Sequence, residues 1–440
     1  MALSLSRYAS HFRDRLTPIL KERDKKEREM SVVMATMTGH PLPEDVVIEI
    51  LSRLPVKNLL QFKCVCKSWY ATITSPNFIS KHLRNYYSTS DSDCLLVQDF
   101  INPAGELESL ELLLDETPRV LSYALLDNLP FHSPFFCGPC DGIFYIYRVS
   151  VFSGFRALWN PAVNELKFLP PLPNPPSNFR YSTLHDAYGF GSHPVTKDYE
   201  VVVMKDYWRE KEEERGGRYP LGVFVYSSST GSWRHWGDLS RHYYLQNNKC
   251  YICMNGVFFW LGSYEICGDP EVIISFDMAT ETCQEIQLPD CGKLFNCQCL
   301  ATYEDSLAIL DVHEEFLHMW TLNERCWVKK FSIGPLPEIS YPIGHWKNSK
   351  LILVSDSGEL ISCDPRTQEI SGLGSKGWVR CVGVFAYKES LVLVNNGNGC
   401  ERHNQKADTE SDFVIRSRNA RNEECFLMES YYDGISNLFD

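Results

Sequence analysis

The feature that most limits what this chain can fold into is a repeat of short strand pairs beyond residue 90. One member of each pair follows a turn, as in Asp141-Gly142-Ile143-Phe144-Tyr145, Asn255-Gly256-Val257-Phe258-Phe259, Asp305-Ser306-Leu307-Ala308-Ile309, Asn348-Ser349-Lys350-Leu351-Ile352 and Glu389-Ser390-Leu391-Val392-Leu393. The other runs up to a polar turn, as in Leu158-Trp159-Asn160-Pro161, Val225-Tyr226-Ser227, Ser275-Phe276-Asp277, Met319-Trp320-Thr321 and Ser362-Cys363-Asp364. Positions 159, 226, 276, 320 and 363 mark these second members, at spacings of 67, 50, 44 and 43. A period near 45 with two hairpins per unit predicts four-stranded propeller blades. The long first interval holds the loops Pro170–Pro176 and Arg209–Arg218, read as insertions. Leu95-Leu96-Val97 and Leu110–Leu114 carry no marker. They are expected to pair with Leu391–Val394 and Phe413-Val414-Ile415, closing the ring with both ends of the chain and removing exposed sheet edges. About six blades are expected, with seven open; a β-sandwich of irregular strands is the alternative.

Ahead of the strands, residues 42–83 read as three or four short helices. Pro43 suits a helix start, with Glu44 and Asp45 where the helix dipole favours negative charge. Val46, Ile50 and Leu54, flanked by Val47 and Leu51, form an apolar stripe that Pro55 ends. Asn58 and Gln61 are spaced for a capping box before Leu59, Leu60, Phe62 and Val65, and Ser75-Pro76 opens a last helix with Phe78, Ile79 and Leu83. A segment this short cannot bury a sufficient core by itself, so its many apolar side chains point to a surface completed by another protein.

Charge and cysteines narrow the function. The chain carries −13; residues 1–39 hold +3 and residues 40–85 another +3, leaving −19 for residues 86–440. An acidic body argues against nucleic acid and anionic membranes and favours a basic partner. No apolar run nears the length of a membrane span. Residues 1–29 mix apolar and charged positions, and Glu22, Asp24, Glu27 and Glu29 argue against a transit peptide. They read as a disordered or helical arm, or as an extension upstream of initiation at Met30, Met34 or Met37. The 17 cysteines are scattered through strand-like segments, which suits reduced thiols in the cytosol or nucleus. Cys137-Gly138-Pro139-Cys140 has dithiol spacing, yet redox chemistry wants its first cysteine at a helix N-terminus, and a strand pattern follows instead. Cys250 and Cys253 have zinc-like spacing without a second pair. The 12 histidines show no metal-type spacing, so no cofactor or metal is expected, and an oxidase or lyase on the propeller is disfavoured.

Leu42-Pro43-Glu44-Asp45, Ile50-Leu51-Ser52-Arg53-Leu54-Pro55-Val56-Lys57 and Phe62-Lys63-Cys64-Val65-Cys66-Lys67-Ser68-Trp69 resemble an F-box, the segment that docks on the Skp-type adaptor of a cullin ubiquitin ligase. Leu158-Trp159-Asn160-Pro161-Ala162, Tyr188-Gly189-Phe190-Gly191 with Asp198–Val202, Val223–Tyr226 with Ser232-Trp233-Arg234, and Ile274–Met278 resemble the kelch-like F-box-associated domain of plants. Their order is similar to that in S-locus F-box proteins, pollen factors that bind style ribonucleases in self-incompatibility. The resemblance implies an α+β multidomain chain, a short all-α F-box over 40–85 followed by an all-β propeller over 90–395; outside the resemblance, the extension over 1–39 is expected to be disordered and the polar tail over 396–440 to close the propeller in part. It implies a non-catalytic subunit of the ligase complex. Leu42, Pro43, Ile50, Leu51, Leu54, Pro55, Leu59 and Val65 would contact the adaptor, with Trp69 either contact or local core. A protein substrate would meet propeller loops, those around 170–186, 205–220 and 263–271 being candidates because they are long and varied. Trp159, Trp233, Trp260 and Trp320 are expected in blade cores. A scaffold or binding protein that never joins a ligase is the alternative.

Overall fold

The computed structural model describes residues 43–395 apart from 88–93, 101–106, 115–116, 121–133, 149–154, 176–179, 182–185, 209–219, 246–250, 266–270, 290–297, 325, 337, 347–349 and 377–380. The chain divides between Tyr86 and Tyr87 into a helical unit and a strand unit.

Among the described residues the helical unit has four helices, Glu44–Leu51, Val56–Phe62, Lys67–Thr74 and Pro76–Tyr87. Pro43 and Pro55 stand just outside the first two, each in extended conformation. The second helix therefore begins at Val56, and Asn58 lies inside it rather than capping it. The expected capping box does not form, because the fixed φ of Pro55 already sets the entry. Cys66 caps the third helix, its Sγ accepting from Trp69 N at 3.5 Å, and Ser75 Oγ accepts from Phe78 N at 3.2 Å to cap the fourth. Leu51, Val56, Leu59, Ile73 and Phe78 form the buried centre. Buried His82 ties the fourth helix to the turn after the first, Nε2 lying 2.9 Å from the carbonyl oxygen of Leu54.

Among the described residues the strand unit contains six sheets, five of four strands and one of five, with a separate two-stranded ribbon. Each sheet is an antiparallel meander and forms one blade. Blade 2 runs Phe135–Cys140, Ile143–Arg148, Phe155–Asn160, Glu165–Phe168; blade 3 runs Ala187–Ser192, Tyr199–Lys205, Gly222–Ser227, Ser232–Asp238. Blade 4 opens with Tyr244–Leu245 and Tyr251–Met254 side by side on Val257–Ser263, then adds Val272–Asp277 and Thr282–Gln287. Blade 5 is Gln298–Tyr303, Ser306–His313, Phe316–Asn323, Cys326–Ile333, and blade 6 is Ile339–Trp346, Lys350–Ser355, Glu359–Cys363, Ile370–Lys376. All five sequence markers fall on third strands of successive blades. The long first interval hides no missing blade: blades 2 and 3 are neighbours, and Arg180–Tyr181 pairs with Tyr207–Trp208 as the ribbon.

First strands touch in a closed circuit from blade 1 through blade 6 and back. Blade 1 supplies the closure, its inner strand Cys381–Tyr387 coming from the far end of the chain and pairing with Cys94–Phe100, followed by Leu107–Leu114 and Thr117–Val120. This corrects the expected pairing with Leu391–Val394, which is not a strand; Phe413-Val414-Ile415 lies outside the described residues. Ser390–Val394 instead straps blade 2. Asn160 Nδ2 donates to the carbonyl oxygens of Ser390 and Val392, and Val394 N donates to Glu165 Oε2 at 3.0 Å.

Second and third strands read as continuous apolar runs because blades flank them on both sides; Ile143–Tyr147, Val201–Met204 and Val223–Tyr226 are buried throughout. Tyr188-Gly189-Phe190-Gly191 is glycine-rich for a local reason. A Cβ on Gly189 would lie 2.9 Å from ring atoms of Phe258 and Trp260, and one on Gly191 2.7 Å from Cys253 Sγ. Trp159 and Trp260 are buried as expected, whereas Trp233 and Trp320 are only half-buried. Trp233 Nε1 donates to Pro170 O of the preceding blade at 2.8 Å, and Trp327 Nε1 repeats the latch on Gln287 O at 2.8 Å.

Candidate functional site

In the helical unit the sequence places two kinds of apolar residue on the same short helices. Leu51 and Leu59 are sealed inside, so they support a surface from beneath and do not form it. Pro43 and Pro55 are exposed, and Leu54 is half-buried above the His82 contact. Ile50 is 37% exposed and Val65 59%. Val46 at 43%, one turn before Ile50, and Tyr70 at 55% are further exposed apolar side chains that the stripe did not single out as contacts. Leu42 lies outside the described residues, and Trp69 is half-buried against Phe62, ring centroids 5.3 Å apart. Glu49 bridges Lys81 at 2.8 Å and Arg53 at 2.7 Å, and hydrogen bonds from Lys81 and then Arg53 hold its carboxyl below the usual range.

The strand unit gathers a second site where first strands begin and second strands end. Asp186 stands just before the first strand of blade 3, Lys205 ends the second, and the two side chains pair while both are buried. Tyr188 donates its hydroxyl to Asp186 Oδ2 at 2.8 Å. Tyr147 stacks on Tyr188 with centroids 3.9 Å apart, and Tyr145 on Tyr147 at 5.3 Å. Burial pushes all three tyrosine hydroxyls up in pKa and pulls the Lys205 ammonium down, the latter against the pull of Asp186. Nearby, Asp206 lies 3.8 Å from His242 and its carboxyl is raised by burial. These residues are spread over nearly a hundred positions of the chain, and no spacing signal joins them. Of the expected substrate loops, 176–179 and 182–185 of the first, 209–219 of the second and 266–270 of the third lie outside the described residues.

The dithiol motif is structural. Cys137 and Cys140 straddle a bulge at the end of a strand, Gly138 taking φ +115, and no helix follows. Burial pushes both thiols up, and Cys253 to about 12, away from reactivity. Cys250 lies outside the described residues, and among those residues no group of three His, Cys, Asp or Glu could hold a metal. No described helix is long and apolar enough to cross a membrane.

Residues 121–371 match the F-box associated beta propeller domain, more than half of the chain. The chain belongs to this family. Residues 41–81 match the F-box domain, so the helical unit is an F-box. F-box protein CPR1 of Arabidopsis thaliana is similar at 23% identity over 89% of this chain and 98% of its own. F-box protein At3g07870 is similar at 24% over 73% and 82%, and F-box/WD-40 repeat-containing protein 1 at 25% over 74% and 78%, both from the same plant. Among solved structures, TolB from Acinetobacter baumannii is similar at a TM-score of 0.38 and 10% identity over 71% of this chain and 72% of that one, too distant to carry an argument.

Proposed function

We propose that this F-box protein is the non-catalytic substrate-recognition subunit of a Skp adaptor–cullin–F-box ubiquitin ligase. The observation that carries the reading is an F-box whose exposed surface holds Val46, Ile50, Val65 and Tyr70, joined to a propeller able to present a second partner. Pro43, Ile50, Leu54, Pro55 and Val65 meet the adaptor, with Val46 and Tyr70 added. Leu51 and Leu59 hold that face in shape, and Leu42 precedes it. The propeller binds a protein substrate, and the ligase raises the effective concentration of charged ubiquitin around it. A narrower reading, a basic style ribonuclease as substrate, is supported by the motif resemblance and by the −19 on residues 86–440.

The test is purification of the full chain from plant cells with mass spectrometry of its partners, beside an Ile50→Asp/Val65→Asp variant whose changes sit at solvent-facing positions. Adaptor and cullin are expected with the native chain and absent with the variant. Their absence from both samples would refute the receptor reading. Absence of any style ribonuclease from partners in pollen and style extract would remove the narrower one.

A further inference from the structure

The first helix of the F-box leaves one row of apolar side chains in solvent. Val46 and Ile50 stand on successive turns of the same face, Pro43 lies a turn before them, and all three are exposed. That helix carries Glu44, Asp45 and Glu49 and no basic residue. Residues 50–85, by contrast, hold six Lys and Arg and no Asp or Glu. A basic apolar segment therefore suits the row on the first helix and is repelled from the surroundings of Val65 and Tyr70.

The chain itself carries such a segment ahead of Pro43, outside the described residues. Leu5, Tyr8, Ala9, Phe12 and Leu16 recur at i, i+3, i+4, i+7 and i+11, the spacing of an apolar helical stripe, and Pro18 ends it. Arg7, Arg13 and Arg15 lie off the stripe with Asp14 alone against them, so residues 1–20 carry +2. An anionic membrane is the other surface that a basic amphipathic helix suits, but the −19 on residues 86–440 opposes it.

We propose that residues 4–17 dock as a helix on the Pro43, Val46 and Ile50 row of their own F-box. Phe12 and Leu16 cover Val46 and Ile50, and the arginines meet Glu44 and Asp45, which are exposed beside the row. The segment is joined to the row through residues 18–42, so it acts at an effective concentration on the order of millimolar. It keeps the row covered until a tighter partner displaces it. Calling that partner a Skp-type adaptor rests on the receptor reading above; the docking itself does not.

Fluorescence anisotropy with a labelled peptide of residues 3–18 tests this on the full chain and on a full-length Phe12→Asp/Leu16→Asp variant. The variant, whose row is open, is expected to bind the peptide about tenfold more tightly than the native chain, whose own segment competes. Adding Val46→Asp/Ile50→Asp to the variant should abolish that binding. Adding Glu44→Gln/Asp45→Asn, which leaves the apolar row intact, should weaken it about fivefold. The Phe12→Asp/Leu16→Asp variant should also bind adaptor about tenfold more tightly than the native chain. Peptide docking as described with no adaptor bound by either chain would refute the receptor reading and leave the docking standing. Peptide bound by neither chain, bound equally by both, or still bound after Val46→Asp/Ile50→Asp would overturn the proposal. Preference of the peptide for phosphatidylserine vesicles over the variant chain would overturn it too, and make the segment a membrane element.

Discussion

Gly189 shows how one residue can fix the junction of two blades. Its neighbours Phe258 and Trp260 are buried rings, and Trp260 is further pinned by donating Nε1 to Tyr188 O at 2.9 Å. Neither ring can retreat from a Cβ, so Gly189→Ala is expected to destabilise the propeller by about 1–3 kcal/mol in urea unfolding. An unchanged midpoint would contradict that packing. Asp311 works the other way. It is buried with Oδ1 unpartnered, and burial pushes its carboxyl from 3.8 up to about 6, with His313 and Lys329 only partly opposing. The folded chain therefore takes up this proton more readily than the unfolded chain. Its contribution is fully present below pH 3.8 and lost as pH rises through 6. Asp311→Asn should stabilise by about 1–3 kcal/mol at pH 7.5, the gain shrinking as pH falls from 6 towards 3.8. His82 has the opposite pH dependence. Burial lowers its pKa below 6.5, so the unfolded chain protonates first, and its contribution is complete above about 6.5 and lost as pH falls. The F-box should unfold at lower temperature at pH 5.5 than at pH 7.5, and His82→Gln should flatten that slope in calorimetry.

At the scale of elements, the blades were legible because Trp159, Tyr226, Phe276, Trp320 and Cys363 recur on equivalent third strands, and all but Trp320 pair with the residue seven positions on across the same length of turn. The closing strand was not. Glu389-Ser390 imitates the turn that opens other second strands, but Ser390 Oγ donates to Asp141 O and the segment ends as a strap across blade 2. Only the partner strand Cys94–Phe100 identifies Cys381–Tyr387 as the closure, and that contact spans most of the chain. In the F-box, apolar residues lie on both faces of short helices, so periodicity alone could not divide exposed Ile50 from buried Leu51. The polar cluster was invisible because its members meet only when blades 2 and 3 pack. Deleting residues 377–440 removes the inner strand of blade 1 and the partners of Asn160. The shortened chain is expected to lose its cooperative urea transition and to aggregate on size-exclusion chromatography, since strand edges are then open. A monomeric, cooperatively unfolding product would contradict this closure.

For the whole molecule, two folding units divide two tasks: an F-box with too little mass to bury all its apolar side chains, and a propeller whose closed ring needs no partner for its edges. The acidic balance of residues 86–440 favours approach by a basic protein, an effect that salt should weaken. The central claim is that the exposed apolar face of the F-box binds a Skp-type adaptor directly. Calorimetric titration of the purified full chain with such an adaptor tests it. The account predicts saturable one-to-one binding, abolished by Ile50→Asp/Val65→Asp and unaffected by Tyr145→Phe. No binding by the native chain, or equal binding by the Ile50→Asp/Val65→Asp variant, would contradict it.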